Sequence, residues 1–467
     1  MRGPCGLSTL YRDIIVNAKA IWYSSSMNTL PRSSAWERLD RIAAGRILVL
    51  DGAMGTMIQA YRLPSGEALS EADFRGSRFA NHPVNLKNFS DVLCLTRPEV
   101  ISSIHEAYLE AGADIIETCS LNATAVSLSD YGLADLAYEI SVAAAAVARK
   151  AADRFSTREK PRFVAGSIGP SSKSGSMSPY IDDPGRRAIG WDELEAAFYD
   201  NARGLLDGGA DILLIETIFD TLNAKAAIAA VRRLESERQA AVPLMISATV
   251  SNAAGRVLSG QTMEAFYASV RHAEPWSVGL NCSFGAEKLI APVRRLSEAA
   301  PCLVSAYPNA GLPNQLGCYD ETPETMCRHL EEYMREGLAN ILGGCCGSTP
   351  AHIAAIAAAA GAYKPRRVPA ARRETVFAGY EALRVGGTAA RGGFPFVLVG
   401  ERANVAGCRK FLDFIRAEDY DAALGIIQEM IEQGAAVINI GMDDPLLDAG
   451  AVMPRFLNLA LADPEIA

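Results

Sequence analysis

The ten residues Gly208–Thr217, GGADILLIET, decide the fold class. Their two glycines end an amphipathic helical pattern, and the apolar run that follows predicts a short buried strand. The run Ala111–Thr118, AGADIIET, nearly duplicates them after a helix predicted to begin at Pro98. Looser copies are found at Gly337–Gly344 and Gly434–Ile440. A repeated order of helix, glycine and strand predicts a parallel sheet covered by helices.

Apolar runs of strand length recur through the first three quarters of the chain. They are residues 47–54, 114–119, 162–169, 212–217, 243–250, 277–283, 302–309 and 340–346. Eight such runs predict an α/β fold, a closed (β/α)₈ TIM barrel over residues 34–362. The alternative is an open doubly wound sheet, but no G-x-G-x-x-G turn follows an early strand.

The remaining sequence predicts three further regions. Residues 1–33 are expected to be an N-terminal extension, either disordered or upstream of the true start, with an amphipathic targeting segment as the alternative. Residues 363–393 are rich in arginine, proline and glycine, which indicates a solvated linker rather than a nucleic-acid patch. Residues 394–467 begin another α/β unit. Their length of about 75 residues is far below the roughly 250 that a second barrel needs, so this unit is predicted to be incomplete.

Composition excludes several classes of protein. The 467 residues are 49% hydrophobic and 21% charged, as in ordinary globular proteins, and the formal net charge is −9. An acidic chain is unsuited to a broad phosphate-binding face, and no apolar stretch reaches the roughly 18 residues of a membrane-spanning helix. No nucleic-acid or membrane partner is therefore expected. Ten dispersed cysteines are typical of reduced thiols, so a cytoplasmic location is expected.

Polar residues end the predicted strands, where the active site of a barrel enzyme lies. They are Asp51, Glu117, Ser167, Glu216, Thr249, Cys282, Asn309, Cys345 and Cys346. Three thiols at one rim could bind zinc, provided that the glycines around Cys345 and Cys346 let the backbone bend there. The alternative is that these cysteines are small buried core residues.

The type of ligand narrows the chemistry of such a site. Three thiolates would make zinc a poor electrophile but would leave a bound substrate thiolate electron-rich, which suits activation of a sulfur nucleophile. Asp51 and Glu216 could hold an ammonium group, while Gly52 and Gly55 could expose N–H groups to a carboxylate. The alternative is that the two acids are hydrogen-bonded caps of strand ends.

Four motifs together resemble the homocysteine-binding barrel of the cobalamin-dependent methionine synthase family. They are LDGAMGT at Leu50–Thr56, GLNC at Gly279–Cys282, YPNAG at Tyr307–Gly311 and GGCCG at Gly343–Gly347. Beyond the linker, GERANVAG at Gly400–Gly407 is similar to the opening of that family's methyltetrahydrofolate-binding barrel.

The resemblance implies a catalytic role for Cys282, Cys345 and Cys346 as Zn²⁺ ligands, with the homocysteine thiolate as the fourth ligand. It implies that Asp51 and Glu216 bind the substrate amino group and that the backbone near Gly52 and Ala53 binds its carboxylate. Asn309 of the YPNAG motif is included among the substrate-binding residues, and Glu401, Asn404 and Asp443 are the implied folate contacts. The implied reaction transfers a methyl group from methylcobalamin to homocysteine, forming methionine.

The sequence departs from the family's pattern at several positions. Cys119 stands in the second strand end where the family has asparagine, and Gly441 replaces an asparagine that contacts the pterin. No histidine follows an aspartate in an Asp-x-His-x-x-Gly motif, so methylcobalamin is expected on a module absent from this chain, brought by a partner chain or a missing segment. The alternatives are a cobalamin-independent methyltransferase that uses betaine or S-methylmethionine, and a non-catalytic zinc-binding remnant.

Overall fold

The structure is a computed structural model that describes residues 30–252, 254–315, 317, 319–372, 374–386 and 396–466. Residues 1–29 of the expected N-terminal extension therefore lie outside the described residues. The chain forms two compact units. The larger contains residues 30–174 and 189–371, and the described part of the smaller contains residues 175–188, 374–386 and 396–466 together with Arg372. No helix of the described residues is long and apolar enough to cross a membrane.

Eight parallel strands form the sheet of the larger unit. They are β1 (Leu48–Val49), β2 (Ile115–Glu117), β3 (Phe163–Ile168), β4 (Ile212–Ile218), β5 (Leu244–Ala248), β6 (Ser277–Gly285), β7 (Leu303–Asn309) and β8 (Ile341–Leu342). Each strand pairs with the next along the chain from β2 to β8, and β1 pairs with β8. A parallel bridge between Leu50 and Ile115 joins the two ends of the sheet. Each predicted apolar run overlaps one strand, so the (β/α)₈ prediction is confirmed.

One helix precedes these strands, and the others connect or follow them, most of them covering the outside of the sheet. They are α1 (Ser34–Gly45), α2 (Met54–Ala60), α3 (Glu71–Arg75), α4 (Leu93–Thr96), α5 (Pro98–Glu110), α6 (Ala125–Leu128), α7 (Ala137–Phe155), α8 (Trp191–Asp207), α9 (Thr221–Arg238), α10 (Met263–Val270), α11 (Ala286–Ala299), α12 (Pro323–Glu336) and α13 (Pro350–Ala360). Helix α5 begins at Pro98 as predicted, because proline suits the first helical turn.

Side chains alternate between the inside and the outside of the sheet along each strand. Ile212 and Leu214 of β4 belong to the core inside the barrel, whereas Leu213 and Ile215 belong to the core beneath the helices. The same alternation holds in the other strands because successive side chains of a strand point to opposite faces. Leu39 of α1 joins the inner core and is fully buried, a burial that stabilises the fold by about 1.5–3 kcal/mol.

The repeated glycine and the acid after it have defined structural roles. Gly112 and Gly209 have φ values of 111° and 101°, which disfavour any residue with a Cβ. Asp114 accepts the N–H of Val49 at 2.9 Å, and Asp211 accepts the N–H of Val164 at 2.9 Å. The repeat therefore ends each helix and ties the start of its strand to the neighbouring strand.

The described part of the smaller unit contains two short sheets. Strands β9 (Thr375–Ala378) and β10 (Ala382–Val385) form an antiparallel hairpin inside the segment predicted as a linker. Strands β11 (Val399–Asn404) and β12 (Val437–Gly441) are parallel neighbours. The helices of this unit are α14 (Arg409–Arg416), α15 (Tyr420–Glu432) and α16 (Ala449–Ala460). A β–α–β arrangement is thus present after residue 396.

Candidate metal and substrate site at the carboxyl rim of the barrel

The inward face of the barrel becomes polar towards the carboxyl ends of its strands. On β4, Glu216 follows Ile212 and Leu214 at the same two-residue spacing, and it is 4% exposed. Ser167 on β3 and Tyr307 on β7 also carry polar groups and point into the barrel, and both are buried. The two-residue period of a strand therefore brings side chains from distant sequence positions to one rim.

Cys282 reaches this rim through an irregularity in β6. Cys282 and Ser283 have φ values of 60° and 64°, in the left-handed region, which residues with a Cβ seldom adopt. The pairing of β6 with β7 shifts its register between Cys282 and Gly285. Without this bulge, the alternation of β6 would turn Cys282 outward together with Leu280.

Cys345 and Cys346 lie beyond the end of β8, in a bent segment. The N–H of Cys345 donates to Pro308 O at 2.7 Å, and Cys346 O accepts the N–H of Ala310 at 2.9 Å. Gly347 follows with a φ of 82°, and a Cβ there would lie 2.3 Å from Tyr319 Cβ. The backbone therefore bends after β8, as the sequence required for both thiols to face one point.

The three sulfurs form a compact cluster. All lie within 4.8 Å of one another, and Cys282 Sγ and Cys346 Sγ are 3.9 Å apart. A tetrahedral site with Zn–S bonds of about 2.3 Å would place its sulfurs about 3.8 Å apart, so the spacing fits zinc. Among the described residues, no other group of three or more histidine, cysteine, aspartate or glutamate side chains has metal-binding spacing.

Hydrogen bonds among the thiols distribute their protons unequally. Bonds from Cys282 and Cys345 lower the pKa of Cys346 to about 3. Bonds to Cys282 and Cys346 raise the pKa of Cys345. Cys346 is thus the thiol most readily ionised, and the cluster already favours a thiolate, the form that binds metals.

Two predicted carboxylates lie buried at the same rim. Asp51 is 2% exposed, and its Oδ2 accepts the N–H of Glu117 at 3.0 Å. Glu216 Oε1 accepts a hydrogen bond from Ser167 Oγ, and its Oε2 accepts one from Tyr307 at 3.3 Å. Burial raises the pKa of Asp51 well above its ordinary value and that of Glu216 to about 7. An uncharged or cation-paired state suits both groups.

The other predicted substrate contacts surround Asp51 and end β7. A Cβ on Gly52 would lie 2.7 Å from Ser348 Oγ, so only glycine fits there. The N–H of Ala53 donates to Ser348 Oγ at 3.2 Å, so a substrate carboxylate would reach this donor only by replacing Ser348. Asn309 is 3% exposed, and its Oδ1 has no hydrogen-bond partner within the described part of the chain.

The residues implied as folate contacts belong to the smaller unit. Glu401 and Asn404 lie on β11, and Asp443 follows β12. Glu401 and Asp443 are exposed, whereas Asn404 is half-buried and its Oδ1 accepts the N–H of Ala406 at 3.0 Å. A Cβ on Gly441 would lie 3.1 Å from the Asn404 side chain.

Two residues of the rim were not assigned a role from the sequence. Asn281 donates to Cys345 Sγ at 4.0 Å, and its Oδ1 accepts the N–H of Thr217 at 3.1 Å. From the sequence, Glu117 is only a polar residue at a strand end. In the structure, burial is the largest cause that raises the pKa of its carboxylate, and the charges of Glu216 and Asp51 raise it further. The two-residue alternation of β2 and β6 is the signal that could have placed both.

Comparison with known proteins gives a consistent result. Residues 48–360 match the Homocysteine S-methyltransferase family. The homocysteine methyltransferase MmuM from Escherichia coli is similar in its metallated form, with 25% identity, a TM-score of 0.52, and coverage of 68% of this chain and 98% of MmuM. Its oxidised form, at 24% identity and a TM-score of 0.52 over 68% of this chain and 97% of MmuM, agrees in fold. The chain therefore belongs to the homocysteine S-methyltransferase family.

Proposed function

We propose that this chain is a zinc-dependent methyltransferase that transfers a methyl group from methylcobalamin to homocysteine, forming methionine. The observation that carries the proposal is the cluster of Cys282, Cys345 and Cys346 at the rim that also holds buried carboxylates. Membership of the family makes the sulfur of homocysteine the atom to be methylated.

The donor set supports zinc as the metal. Three sulfurs at this spacing match the protein ligands of a catalytic zinc site, which leaves one position for water or substrate, and the metallated form of MmuM supports a metal in a relative. When bound, zinc would hold the homocysteine sulfur as a thiolate at neutral pH, where a free thiol with a pKa of about 8.5 is mostly protonated.

The chain's own residues would bind and orient the amino acid. Asp51 and Glu216 supply negative charge for the ammonium group, and Ser167 and Tyr307 fix the orientation of the Glu216 carboxylate. The backbone around Gly52 would bind the substrate carboxylate, which would replace Ser348 Oγ as the acceptor of the Ala53 N–H. Burial of these acids strengthens their attraction for a cation, because little water screens them.

Methylcobalamin is proposed as the methyl donor because the smaller unit has the β–α–β arrangement and the GERANVAG motif of a folate-binding barrel. No Asp-x-His-x-x-Gly motif is present in the sequence, so the cobalamin would be presented by a partner chain or a further segment. Glu401, Asn404 and Asp443 are the proposed folate contacts. A cytoplasmic location stays a prediction.

Methyl transfer to homocysteine from added methylcobalamin tests the proposal directly. Zinc-loaded protein should form methionine, and Cys345→Ser should lower the rate by more than about 100-fold because a metal ligand is lost. Cys327→Ser is the matched control, since Cys327 lies on α12 and donates to Ala355 O, away from the cluster. This control should keep its full rate.

Other donors in the same assay separate the alternatives. Methionine formed from betaine or S-methylmethionine, but not from methylcobalamin, would identify a cobalamin-independent enzyme. Tight zinc binding without methionine from any of the three donors would contradict catalysis and favour a non-catalytic zinc protein.

A further inference from the structure

A third carboxylate, Glu117, lies at the same rim as Asp51 and Glu216. Glu117 ends β2 and has the same inward register as Ile115, which belongs to the inner core. Its own N–H donates to Asp51 Oδ2 at 3.0 Å, so the Asp51 carboxylate lies directly against the backbone of Glu117. After burial, the charges of Glu216 and Asp51 are the largest influences that raise the pKa of Glu117. The three acids therefore form one cluster.

The oxygens of these acids are not equally satisfied. Both Glu216 oxygens accept hydrogen bonds, from Ser167 and from Tyr307. Asp51 Oδ1 and Glu117 Oε1 are buried and have no hydrogen-bond partner among the described residues. Such acceptors are rare in folded proteins, because losing water without gaining a partner costs free energy. Two unused acceptors at one rim therefore indicate a missing donor.

The charges around the cluster indicate the nature of that donor. Burial and the charges of neighbouring acids and thiols raise the pKa values of the three acids. No arginine or lysine is among the groups that affect these pKa values. None of the three acids takes part in an ion pair within the described chain. A bound cation with several N–H groups would satisfy both free oxygens and offset the charge of Glu216. An alkylammonium group fits these requirements.

We propose that Glu117 is a substrate-binding residue that, together with Asp51, accepts hydrogen bonds from the ammonium group of the thiol substrate. In this arrangement Glu216 supplies charge while its oxygens remain bound to Ser167 and Tyr307. The proposal rests on the proposed function and adds the residue that makes the site select an α-amino thiol over a thiol without the amino group.

Binding of two thiols to the zinc-loaded full chain, measured by calorimetry, tests this role. The ligands are homocysteine and 4-mercaptobutanoate, which lacks only the α-amino group. Glu117→Gln keeps the shape of the side chain and removes its charge. It should weaken homocysteine binding about 10- to 100-fold, the usual value of a hydrogen bond to a charged group, and leave 4-mercaptobutanoate nearly unchanged.

Asp91→Asn is the matched control. Asp91 is also a buried acid near the end of β2, but its Oδ2 accepts the N–H of Asn122, and it is not part of the rim cluster. The control should keep the preference of the natural chain for homocysteine. Zinc content and thermal unfolding of each variant show whether the site and the fold survive.

The outcomes separate the inference from the proposed function. Equal weakening of both ligands by Glu117→Gln, or no weakening, would overturn the role of Glu117 while leaving the methyltransferase in place. Failure of the natural chain to bind either thiol would instead contradict the proposed function. If Glu117→Gln does not fold, Glu117→Asp is tested with the same two ligands. Its shorter side chain should still reduce the preference for homocysteine. An unchanged preference would overturn the proposal.

Discussion

The barrel and the smaller unit are built from the same local pattern but bury it to different extents. Gly209 before β4 and Gly434 before β12 both have left-handed φ values, 101° and 91°. All six residues of β3 and all five of β5 are buried, whereas no residue of β12 is. Phe396 and Leu446 of the smaller unit are 91% and 81% exposed. The difference teaches that the repeat specifies a helix, a turn and a strand, while burial depends on how many neighbouring strands surround it.

Limited proteolysis should give the largest difference between the two units. The segment after about residue 393 should be trimmed about 100-fold faster than the barrel, because locally opened states are far more populated where few residues are buried. Gel electrophoresis and mass spectrometry of the digest would follow both cleavages. If this segment resisted the protease as well as the barrel does, the exposure of its strands would not make the smaller unit less stable than the barrel.

A matched pair of glycine substitutions should give the next largest difference. A Cβ on Gly279 of β6 would lie 2.4 Å from the backbone oxygen of Ser305, which cannot move without disturbing β7. A Cβ on Gly400 of β11 would lie 2.8 Å from Met430 Sδ, part of a flexible side chain. Gly279→Ala should therefore lower the free energy of unfolding by about 3 kcal/mol, and Gly400→Ala by about 1 kcal/mol.

Chemical denaturation of both variants measures these values. Each unit must be followed by its own signal, since the two need not unfold together. Equal losses would show that the close packing of the barrel strands is no stricter than that of β11, contrary to the expectation.

The pH dependence of stability should give the smallest difference, and its sign should differ between the units. Burial raises the pKa of Asp91 to about 7, so its folded form binds more protons than the unfolded chain between pH 4 and 7. The stability of the barrel relative to Asp91→Asn should therefore fall as pH rises through this window.

Asp444 of the smaller unit provides the opposite case. The N–H of Leu446 and the guanidinium of Arg416 lower the pKa of Asp444. Its contribution is complete above the unfolded pKa of 3.8 and is lost as pH falls through the lower folded value. Unfolding of Asp91→Asn and Asp444→Asn against the natural chain from pH 3 to 8 would test both signs, and equal slopes would contradict the difference in burial.

Much of the barrel could be predicted because its signals are local. Each strand is a continuous apolar run after a helix with one apolar face, and the glycine between them is recognisable at Gly112 and Gly209. The hairpin Thr375–Val385 was missed because its composition is that of a solvated linker, and two short strands leave no strong apolar pattern.

The candidate site was predictable only in part. Asp51, Glu216 and the cysteines are polar or thiol residues at strand ends, where barrel topology places an active site. Three features have no counterpart in the sequence pattern. They are the left-handed backbone at Cys282, the hydrogen bond that the N–H of Ala53 donates to Ser348 Oγ, and the oxygens of Asp51 and Glu117 that lack a partner among the described residues. Each depends on atoms that are distant along the chain.

The sequence by itself determined the order of helices and strands, the count of eight strands in the barrel, and the residue types available at its rim. These follow from short-range periodicity and from glycine and proline, whose conformational preferences act over a few residues. Only the tertiary structure decided which thiols converge, which carboxylate oxygens are satisfied, and which strands are buried. The reason is physical: closing the barrel brings residues from β1 to β8 together, and their distances, desolvation and mutual charges exist only after that closure.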